Sequence, residues 1–409
     1  MRRSSGVIPT LNHVILKNLI TGLILIITVS TCGANVSDSW VIESPDRELA
    51  FEPVYVDVSA EAYAEGVICL SSKYGLQPAQ IEQLDDQNSR IWWLATQPAG
   101  ESVRYEHDRN ANCGQSSFSW RNIGPQSDRL FLGERPVLQY EYPVYDPENV
   151  EMTKKPFHHV FSPNGVRLIT KGPGGLYPHH RGIYLGFYAY VDGSEERIDI
   201  WHARDGERSE HNRVLRTIEG PVLGGHVVAI DWKDHDGDPF VDEVREVRTF
   251  LQPDGHLLID VRSELTALRD NVLLGGDRHH AGLQFRAAQE VADNKEATRF
   301  IRPDAWSDIP QDKELEDENI LDFPWNAMFF EIDRQTYTVS YLSHPSNPDG
   351  AEMSERLYGR FGEFFTQELS RSESLVMNYR YWVKQGAAPD RTMIQQRYDN
   401  YAFPPNIMP

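Results

Sequence analysis

Hydrophobic and polar residues alternate along most of the chain after about residue 50, and this period-two pattern predicts β-strands rather than helices. The alternation is clearest at 226–232, 241–251 and 256–265, and turn-forming clusters at 234–238 and 252–255 separate these segments. We therefore expect an antiparallel meander of three long strands.

Further strands are predicted at 327–332, 336–342 and 374–383, and the pattern at 389–401 favours a helix. Long antiparallel strands are typical of two large stacked sheets. The predicted fold class is therefore all-β, with a large antiparallel β-sandwich over residues 136–403.

A smaller β domain is predicted to precede the sandwich, because a chain of 409 residues suits two domains. Strand patterns at 52–58, 90–95 and 102–105 place this domain within residues 49–132. The polar stretch 32–48 is predicted to be a tether.

The first residues have the pattern of a targeting segment. Arg2, Arg3 and Lys17 precede a short apolar run from Leu19 to Val29, which is typical of a signal peptide over residues 1–31. The following cysteine, Cys32, stands in a context that resembles a bacterial lipobox, so it is a candidate for lipidation. A plain signal peptide without lipidation is the alternative. Both interpretations predict export, either as a periplasmic or outer-membrane lipoprotein or as a secreted protein.

Cysteine content agrees with export, since only Cys69 and Cys113 remain once Cys32 is set aside. In an oxidising compartment we expect them to form one disulfide. Two buried free thiols are the alternative.

The formal net charge of −21 argues against nucleic acid and anionic membrane surfaces as partners. The only membrane contact expected is through an N-terminal lipid anchor. Aromatic residues make up 11% of the chain, which suits stacking on sugar rings but equally suits the filling of a β-sheet core.

Histidines occur as adjacent pairs at 158–159, 179–180 and 279–280. Neighbouring residues on a strand point to opposite faces, so a regular strand cannot direct His179 and His180 at one ligand. Pro178 and Gly182 flank the second pair, and a turn between them would allow both imidazoles to serve one site. The alternative is that such pairs are only polar strand ends.

Imidazole is the side chain best suited to acid–base chemistry near neutral pH, so His180, His280 and His179 are the catalytic candidates. Glu243 and Glu368 are carboxylates that could serve a glycosidase, but neither lies in an informative motif. The predicted substrate-binding residues are Arg181, Trp201, His202, Arg286, Asn347, Arg356 and Tyr358.

No cofactor is assigned with certainty, but a divalent metal is a further hypothesis. Three converging imidazoles with one water form a catalytic metal site, for which the candidates are His179, His202, His279 and His344. Their spacing along the chain matches no compact metal motif.

Seven stretches occur in the order typical of one bacterial family, and their sequences are LGERPVLQYEYP, KPFHHVFSPNGVRLIT, YPHHRGIYLGF, DIWH, HHAGLQFR, YLSHPSNP and ERLYGRFGEFF. On these motifs the chain resembles the PmoA-like family, DUF6807, from about residue 50 to 400. The resemblance implies an exported β-sandwich similar to the galactose mutarotase-like supersandwich. It also implies a genomic setting of carbohydrate degradation and sugar oxidoreduction.

The family label "methane oxygenase" is not expected to describe this chain. The membrane subunit of that name has several spanning helices, whereas this sequence has one short apolar run. The chain also departs from its family at Leu176 and Tyr177, where Asp-His is common before Pro-His-His-Arg-Gly. A role that depends on that aspartate is therefore in doubt here.

The sequence thus predicts a carbohydrate-active protein whose partner is a carbohydrate or a sugar-derived small molecule. The first hypothesis is an enzyme, a hydrolase, lyase or epimerase acting on a glycoside or an oxidised sugar. The alternatives are a non-catalytic carbohydrate-binding envelope protein, and histidine pairs that are structural while the site lies elsewhere.

Overall fold

The computed structural model describes residues 38–43, 46–114, 116–277, 279–311 and 321–409. Antiparallel strands account for nearly all of the regular structure, which confirms the all-β prediction. The predicted signal peptide over 1–31 and the lipidation candidate Cys32 lie outside the described residues.

Within the described ranges, three α-helices lie between the strands. In chain order the strands are β1 (Ser39–Ile42), β2 (Leu49–Ser59), β3 (Gly66–Ser72), β4 (Gly75–Gln83), β5 (Asn88–Gln97), β6 (Val103–His107), β7 (Phe118–Gly124), β8 (Ser127–Leu132), β9 (Arg135–Glu141), β10 (Phe157–Val160), β11 (Ile183–Gly186), β12 (Tyr188–Tyr190), β13 (Ile198–Asp199), β14 (Arg208–Ile218), β15 (Leu223–Lys233), β16 (Pro239–Leu251), β17 (Leu257–Ala267), β18 (Val272–Gly275), β19 (Gly282–Arg286), β20 (Arg299–Ile301), β21 (Trp325–Ile332), β22 (Gln335–Ser343), β23 (Glu352–Arg356), β24 (Arg360–Phe364), β25 (Gln367–Leu369), β26 (Ser374–Gln385) and β27 (Ile407–Met408). The helices are α1 (Val150–Thr153), α2 (Gln289–Asp293) and α3 (Arg391–Ala402).

Four antiparallel sheets form from these strands. The N-terminal sheet has the order β2-β5-β4-β3-β6-β1-β27, and the front sheet has the order β23-β24-β19-β11-β10-β9-β8-β7. The back sheet has the order β14-β15-β16-β17-β26-β22-β21-β20, and a small sheet has the order β13-β12-β18-β25. The predicted meander is confirmed as β15, β16 and β17 in the back sheet.

The main hydrophobic core lies between the front and back sheets. Phe285 of the front sheet packs against Tyr381 of the back sheet, with ring centroids 5.9 Å apart, and buried aliphatic residues surround this contact. Alternate residues of each strand therefore point into the sandwich, as the period-two pattern requires. The chain is thus an all-β sandwich, and its likeness to galactose mutarotase remains a prediction.

The predicted C-terminal helix is confirmed as α3, which begins after Asp390. The Asp390 side chain accepts a hydrogen bond from the backbone N–H of Met393 and so caps the helix. Among the helices of the described ranges, none is long and apolar enough to cross a membrane.

The N-terminal sheet departs from the sequence prediction at one point. Residues 39–42 lie within the predicted tether, yet they form β1 because Trp40 and Ile42 alternate into the hydrophobic core of that sheet. The tether prediction was wrong for these residues. In the same region Cys69 and Cys113 are joined by a disulfide, with Cα atoms 5.6 Å apart.

Strands β7 and β8 fall within the stretch assigned to the small domain by sequence, but they pair in the front sheet. The N-terminal sheet also packs on the outer face of the back sheet, where the rings of Trp92 and Phe250 lie 5.6 Å apart. The division into domains at 49–132 and 136–403 remains a prediction.

Candidate active site

The candidate site lies on the face of the front sheet that points away from the main core. In β11, Ile183 and Leu185 enter the sandwich core, whereas Tyr184 points to the opposite side and packs with Phe157 and Trp201. The alternation of side chains along a strand therefore places one aromatic residue of this short strand on the outer face.

The loop before β11 carries His179 and His180. It passes very close to β10 at Gly182, where a Cβ atom would lie 2.1 Å from the carbonyl oxygen of His158. Only glycine fits there, and the backbone beyond this point continues as a regular strand. The two histidines precede that strand, so both rings can contact the same cluster.

Two buried basic side chains hold the loops of the site by donating hydrogen bonds to backbone carbonyls. Arg181 donates to the carbonyl oxygen of His179 at 3.0 Å and to that of Glu151. Lys155 donates to the carbonyl oxygen of Ile200 at 3.0 Å. Arg181 was expected to contact substrate, and the structure places its guanidinium against the protein backbone.

The segment from Asp199 to His202 crosses over β11 at Gly186. A Cβ atom at Gly186 would lie 3.1 Å from both the carbonyl oxygen of Ile200 and the Cα of Trp201. Asp199 accepts two hydrogen bonds from His202, one from the backbone N–H at 2.8 Å and one at Nδ1 at 2.9 Å. This pairing fixes the orientation of the His202 ring.

The loop before β19 repeats the same Asp-x-x-His arrangement. Asp277 accepts from the backbone N–H of His279 at 2.7 Å, and its Oδ1 lies 2.9 Å from Nδ1 of His280. Two imidazoles from distant segments are thus each oriented by a carboxylate three residues earlier.

Four imidazoles form a continuous cluster across β11. The ring centroids are 4.3 Å apart for His179 and His180, 4.5 Å for His179 and His202, and 4.7 Å for His202 and His280. No side chain or backbone group of the described residues hydrogen-bonds to Nε2 of His202 or His280. Exposure rises along the cluster, from 2% for His180 to 32% for the side chain of His280.

Burial sets the protonation of this cluster. It lowers the pKa of His179 and His180 well below the usual value, and the positive charge of Arg360 adds to the effect at His180. Burial also lowers the pKa of His280, although the hydrogen bond with Asp277 opposes it. These three imidazoles are therefore neutral near pH 7.

The two carboxylates remain ionised. Burial acts to raise the pKa of Asp199, but the hydrogen bonds from His202 outweigh it and lower the pKa. The same balance lowers the pKa of Asp277, through the hydrogen bond from His280. Each dyad thus pairs an anionic carboxylate with an imidazole that carries its proton on Nδ1.

Three arginines lie side by side on neighbouring strands next to the histidines. Arg356 of β23 is in register with Arg360 of β24, which is in register with Arg286 of β19. Arg360 donates to Gln284 at 3.1 Å and to Ser354 at 2.8 Å. Arg356 approaches Nδ1 of His279 at 2.5 Å.

Two tyrosines cover the inner end of the cluster. Tyr358 stacks on His180 with centroids 6.0 Å apart, and Tyr177 contacts Tyr358 at 4.8 Å. Tyr177 is 43% exposed and has a positive φ of 54°, which is uncommon for a bulky residue.

Two candidates from the sequence lie apart from the cluster. His344 follows β22 and contacts Ser346 and Tyr401, whose ring lies 5.3 Å away in α3. Asn347 donates to the backbone carbonyl of Asn378 at 2.9 Å. The structure therefore does not bring the four metal candidates together, and no three His, Cys, Asp or Glu side chains in the described ranges are arranged to hold a metal ion.

The two carboxylates considered from the sequence for a glycosidase lie in the back sheet and in the small sheet. Glu243 is 1% exposed and accepts hydrogen bonds from Trp232, Arg245 and Ser263 inside the back sheet. Glu368 lies on β25 in the small sheet.

Sequence reasoning missed several residues of the cluster, namely Asp199, Asp277, Tyr184, Arg360 and Lys155. A usable signal existed for the two aspartates, because DIWH and DRHH share the Asp-x-x-His spacing. No comparable signal marks the other three, since their roles depend on contacts with segments that are distant in sequence.

Comparison with known protein families gives a match. A model of the family of unknown function DUF6807 matches residues 129–399, which include all four clustered histidines. A search of curated proteins finds no match.

Proposed function

The chain belongs to the DUF6807 family of unknown function, and we propose that it is an exported carbohydrate-active enzyme. Its substrate is a glycoside or an oxidised sugar, and its reaction is a hydrolysis, elimination or epimerisation driven by imidazole acid–base chemistry. Methane oxygenation is not part of this proposal.

One observation carries the proposal, namely the facing pair of dyads formed by His202 with Asp199 and by His280 with Asp277. A carboxylate that accepts from Nδ1 holds the imidazole in one tautomer and leaves Nε2 as a base. With two such bases 4.7 Å apart, one can take a proton from the sugar while the other, once protonated, returns a proton to a leaving oxygen or to carbon.

The surrounding groups suit a sugar. Polar donors from the arginine row lie on one side, and the rings of Trp201, Tyr188 and Tyr358 lie around the histidines. Sugars offer both hydroxyl groups and apolar ring faces, so a site of this kind needs arginines and aromatic rings together. Asp199 and Asp277 each accept a hydrogen bond from an imidazole, so neither is a free carboxylate. This favours histidine, rather than a pair of carboxylates, as the acid–base group.

Export is supported by the leader-like pattern in residues 1–31 and by the disulfide between Cys69 and Cys113. We expect the mature protein in the periplasm, on the outer membrane or outside the cell. Cell fractionation with a Cys32→Ser variant tests lipidation, because loss of the thiol releases only a lipid-anchored form.

The activity is tested with the full chain and a panel of glycosides, uronates and keto-sugars in D₂O. Proton NMR detects product and also deuterium entry at sugar carbons, which reports proton abstraction. We expect turnover to fall on the order of 100-fold or more in His202→Asn and His280→Asn. His344→Asn is the matched control, because this histidine lies apart beside α3.

Retention of turnover in both dyad variants would disprove the proposed mechanism. Sugar binding that depends on these histidines, without turnover of any member of the panel, would favour the alternative of a non-catalytic carbohydrate-binding protein.

A further inference from the structure

Arg286 and Arg360 form an unusual pair on the outer face of the front sheet. They are direct cross-strand neighbours, and their exposed fractions are 0% and 1%. Like charges directly opposite each other destabilise a sheet, and burial increases the cost. Neither guanidinium forms an ion pair with a carboxylate in the part of the chain that the structure describes.

Several buried hydrogen-bond donors beside this pair have no partner among the described residues. They are Nε and Nη2 of Arg286, the hydroxyl of Tyr184 and Nε1 of Trp201. Arg286 uses only Nη1, which donates to the carbonyl oxygens of Ala287 and Tyr358. Folded proteins rarely leave buried polar atoms unpaired, and a cluster of them indicates a bound group.

These unpaired groups are close to one another and to a clustered histidine. The rings of Tyr184 and Trp201 lie 4.9 Å apart, and the Arg360 guanidinium lies 5.8 Å from the Trp201 ring. The ring of His180 lies 6.0 Å from Tyr184 and 5.8 Å from Trp201. Arginine and tryptophan can only donate hydrogen bonds, so the chemistry of the group they bind is that of an acceptor.

We infer that Arg286, Arg360, Tyr184 and Trp201 form a subsite for the carboxylate of an acidic sugar. This inference rests on the proposed function and narrows its substrate class to uronates and related sugar acids. A carboxylate supplies the missing counter-charge, and the planar guanidinium of Arg286 has two free N–H positions that match its two oxygens.

The electrostatics agree with this assignment. Burial lowers the pKa of Arg286 to about 10, which is the effect of a charge removed from water without a compensating anion. A carboxylate neutralised by two guanidiniums also withdraws electrons from the adjacent carbon. A histidine base can then remove that carbon's proton, and the electron pair passes onto the carboxylate oxygens.

Two tyrosines cover the proposed subsite, so a sugar acid has to enter past them. Tyr177 lies over His180 with centroids 5.3 Å apart, and the Tyr358 ring lies 5.1 Å from the Arg286 guanidinium. Because Arg286 is fully covered, the loop that carries Tyr177 has to move when the sugar acid enters.

Calorimetric titration of the full chain with D-glucuronate, D-galacturonate, D-glucose and D-galactose tests the subsite. We expect at least one acidic sugar to bind about tenfold or more tightly than its neutral counterpart. Tyr184→Phe and Arg286→Lys should each reduce this preference, whereas Arg371→Gln, at an arginine with 58% of its side chain exposed, should not. Tyr184→Phe keeps the ring and so remains informative if Arg286→Lys fails to fold.

The inference is overturned if neutral and acidic sugars bind equally, if neither uronate binds the wild-type chain, or if the preference survives in Tyr184→Phe. Binding of a uronate that depends on Tyr184, with no turnover in the D₂O assay, would support the subsite and contradict the proposed enzyme. Turnover of neutral sugars, with no preference for acidic sugars, would support the proposed enzyme and contradict the subsite.

Discussion

The imidazole rings of His202 and His280 lie 4.7 Å apart, although 78 positions separate them in the chain. Each ring has Nδ1 against a carboxylate three residues earlier, and each has Nε2 free of described hydrogen-bond partners. This relationship joins two loops, so that two imidazoles, each oriented by a carboxylate, lie side by side.

The first prediction concerns the carboxylates. Asp199→Asn and Asp277→Asn should each lower turnover on the order of 10²–10⁴-fold, because a neutral amide no longer fixes the tautomer of its histidine. Nitrogen-15 NMR of the imidazoles should show the Nδ1-protonated tautomer in the wild type and its loss at the altered dyad. Asp270→Asn is the control, since that carboxylate is 62% exposed and pairs with Arg371 at the surface. An unchanged tautomer in both variants would contradict this role.

The second prediction concerns the unpaired hydroxyl of Tyr184. An unsatisfied buried hydroxyl costs about 1–3 kcal/mol, so Tyr184→Phe should leave the free energy of unfolding unchanged or raise it. Tyr142→Phe should instead lower it by about 1 kcal/mol, because its hydroxyl donates to Asp128 at 2.9 Å. Urea denaturation of both variants measures these changes in the free energy of unfolding. Equal destabilisation would mean that Tyr184 already has a binding partner in the free protein.

The third prediction is that the protein loses stability in acid. Burial lowers the pKa of His159 to about 4 and that of His226 to about 3, and it lowers the pKa of His158, His179 and His180 as well. Below pH 6.5 the unfolded chain therefore binds protons that the folded chain does not. Stability is fully present above pH 6.5 and is lost as the pH falls toward the folded-state values.

His159 and His226, whose pKa values are lowered to about 4 and about 3, should each contribute a loss of about 2 kcal/mol between pH 7.5 and pH 5. Urea midpoints at these two pH values measure the effect, and His226→Gln should reduce it. His235→Gln should not, since backbone hydrogen bonds outweigh burial there and raise its pKa. Equal urea midpoints at both pH values would show that the buried histidines are not neutral.

The fourth prediction concerns the crossing at Gly186. Gly186→Ala should lower the free energy of unfolding by about 1–3 kcal/mol and shift the NMR signals of His202, because the added methyl group meets the backbone of Ile200 and Trp201 at 3.1 Å. Gly124→Ala is the matched control on β7, where an added Cβ meets no atom within 4 Å. If both variants behave alike, the close crossing does not position His202.

Hydrophobic periodicity allowed the all-β sandwich, the central meander and the helix α3 to be predicted. Burial of one face of a strand or helix leaves a local pattern in the sequence. The pattern failed at residues 39–42, where only two inward residues, Trp40 and Ile42, mark the strand. So short a strand is stabilised by the sheet it joins rather than by its own sequence.

The site was only partly predictable. Clustered histidines and arginines marked His179, His180, His280 and Arg286 as candidates, but the same reasoning also included His344 and Asn347, which lie elsewhere. Residue type and motif order identify side chains that are able to do chemistry. They do not show which loops come together in the folded protein.

The sequence by itself determined the strands, the alternation of buried residues along the long strands of the back sheet, and the Asp-x-x-His spacing that orients each imidazole. All of these depend on neighbours within a few residues. Only the tertiary structure decided that the segment from Asp199 to His202 crosses β11 at Gly186 and so brings His179 and His280 to a common neighbour, His202. That contact depends on the pairing of strands distant in sequence, and the free energy of packing the whole sandwich selects it.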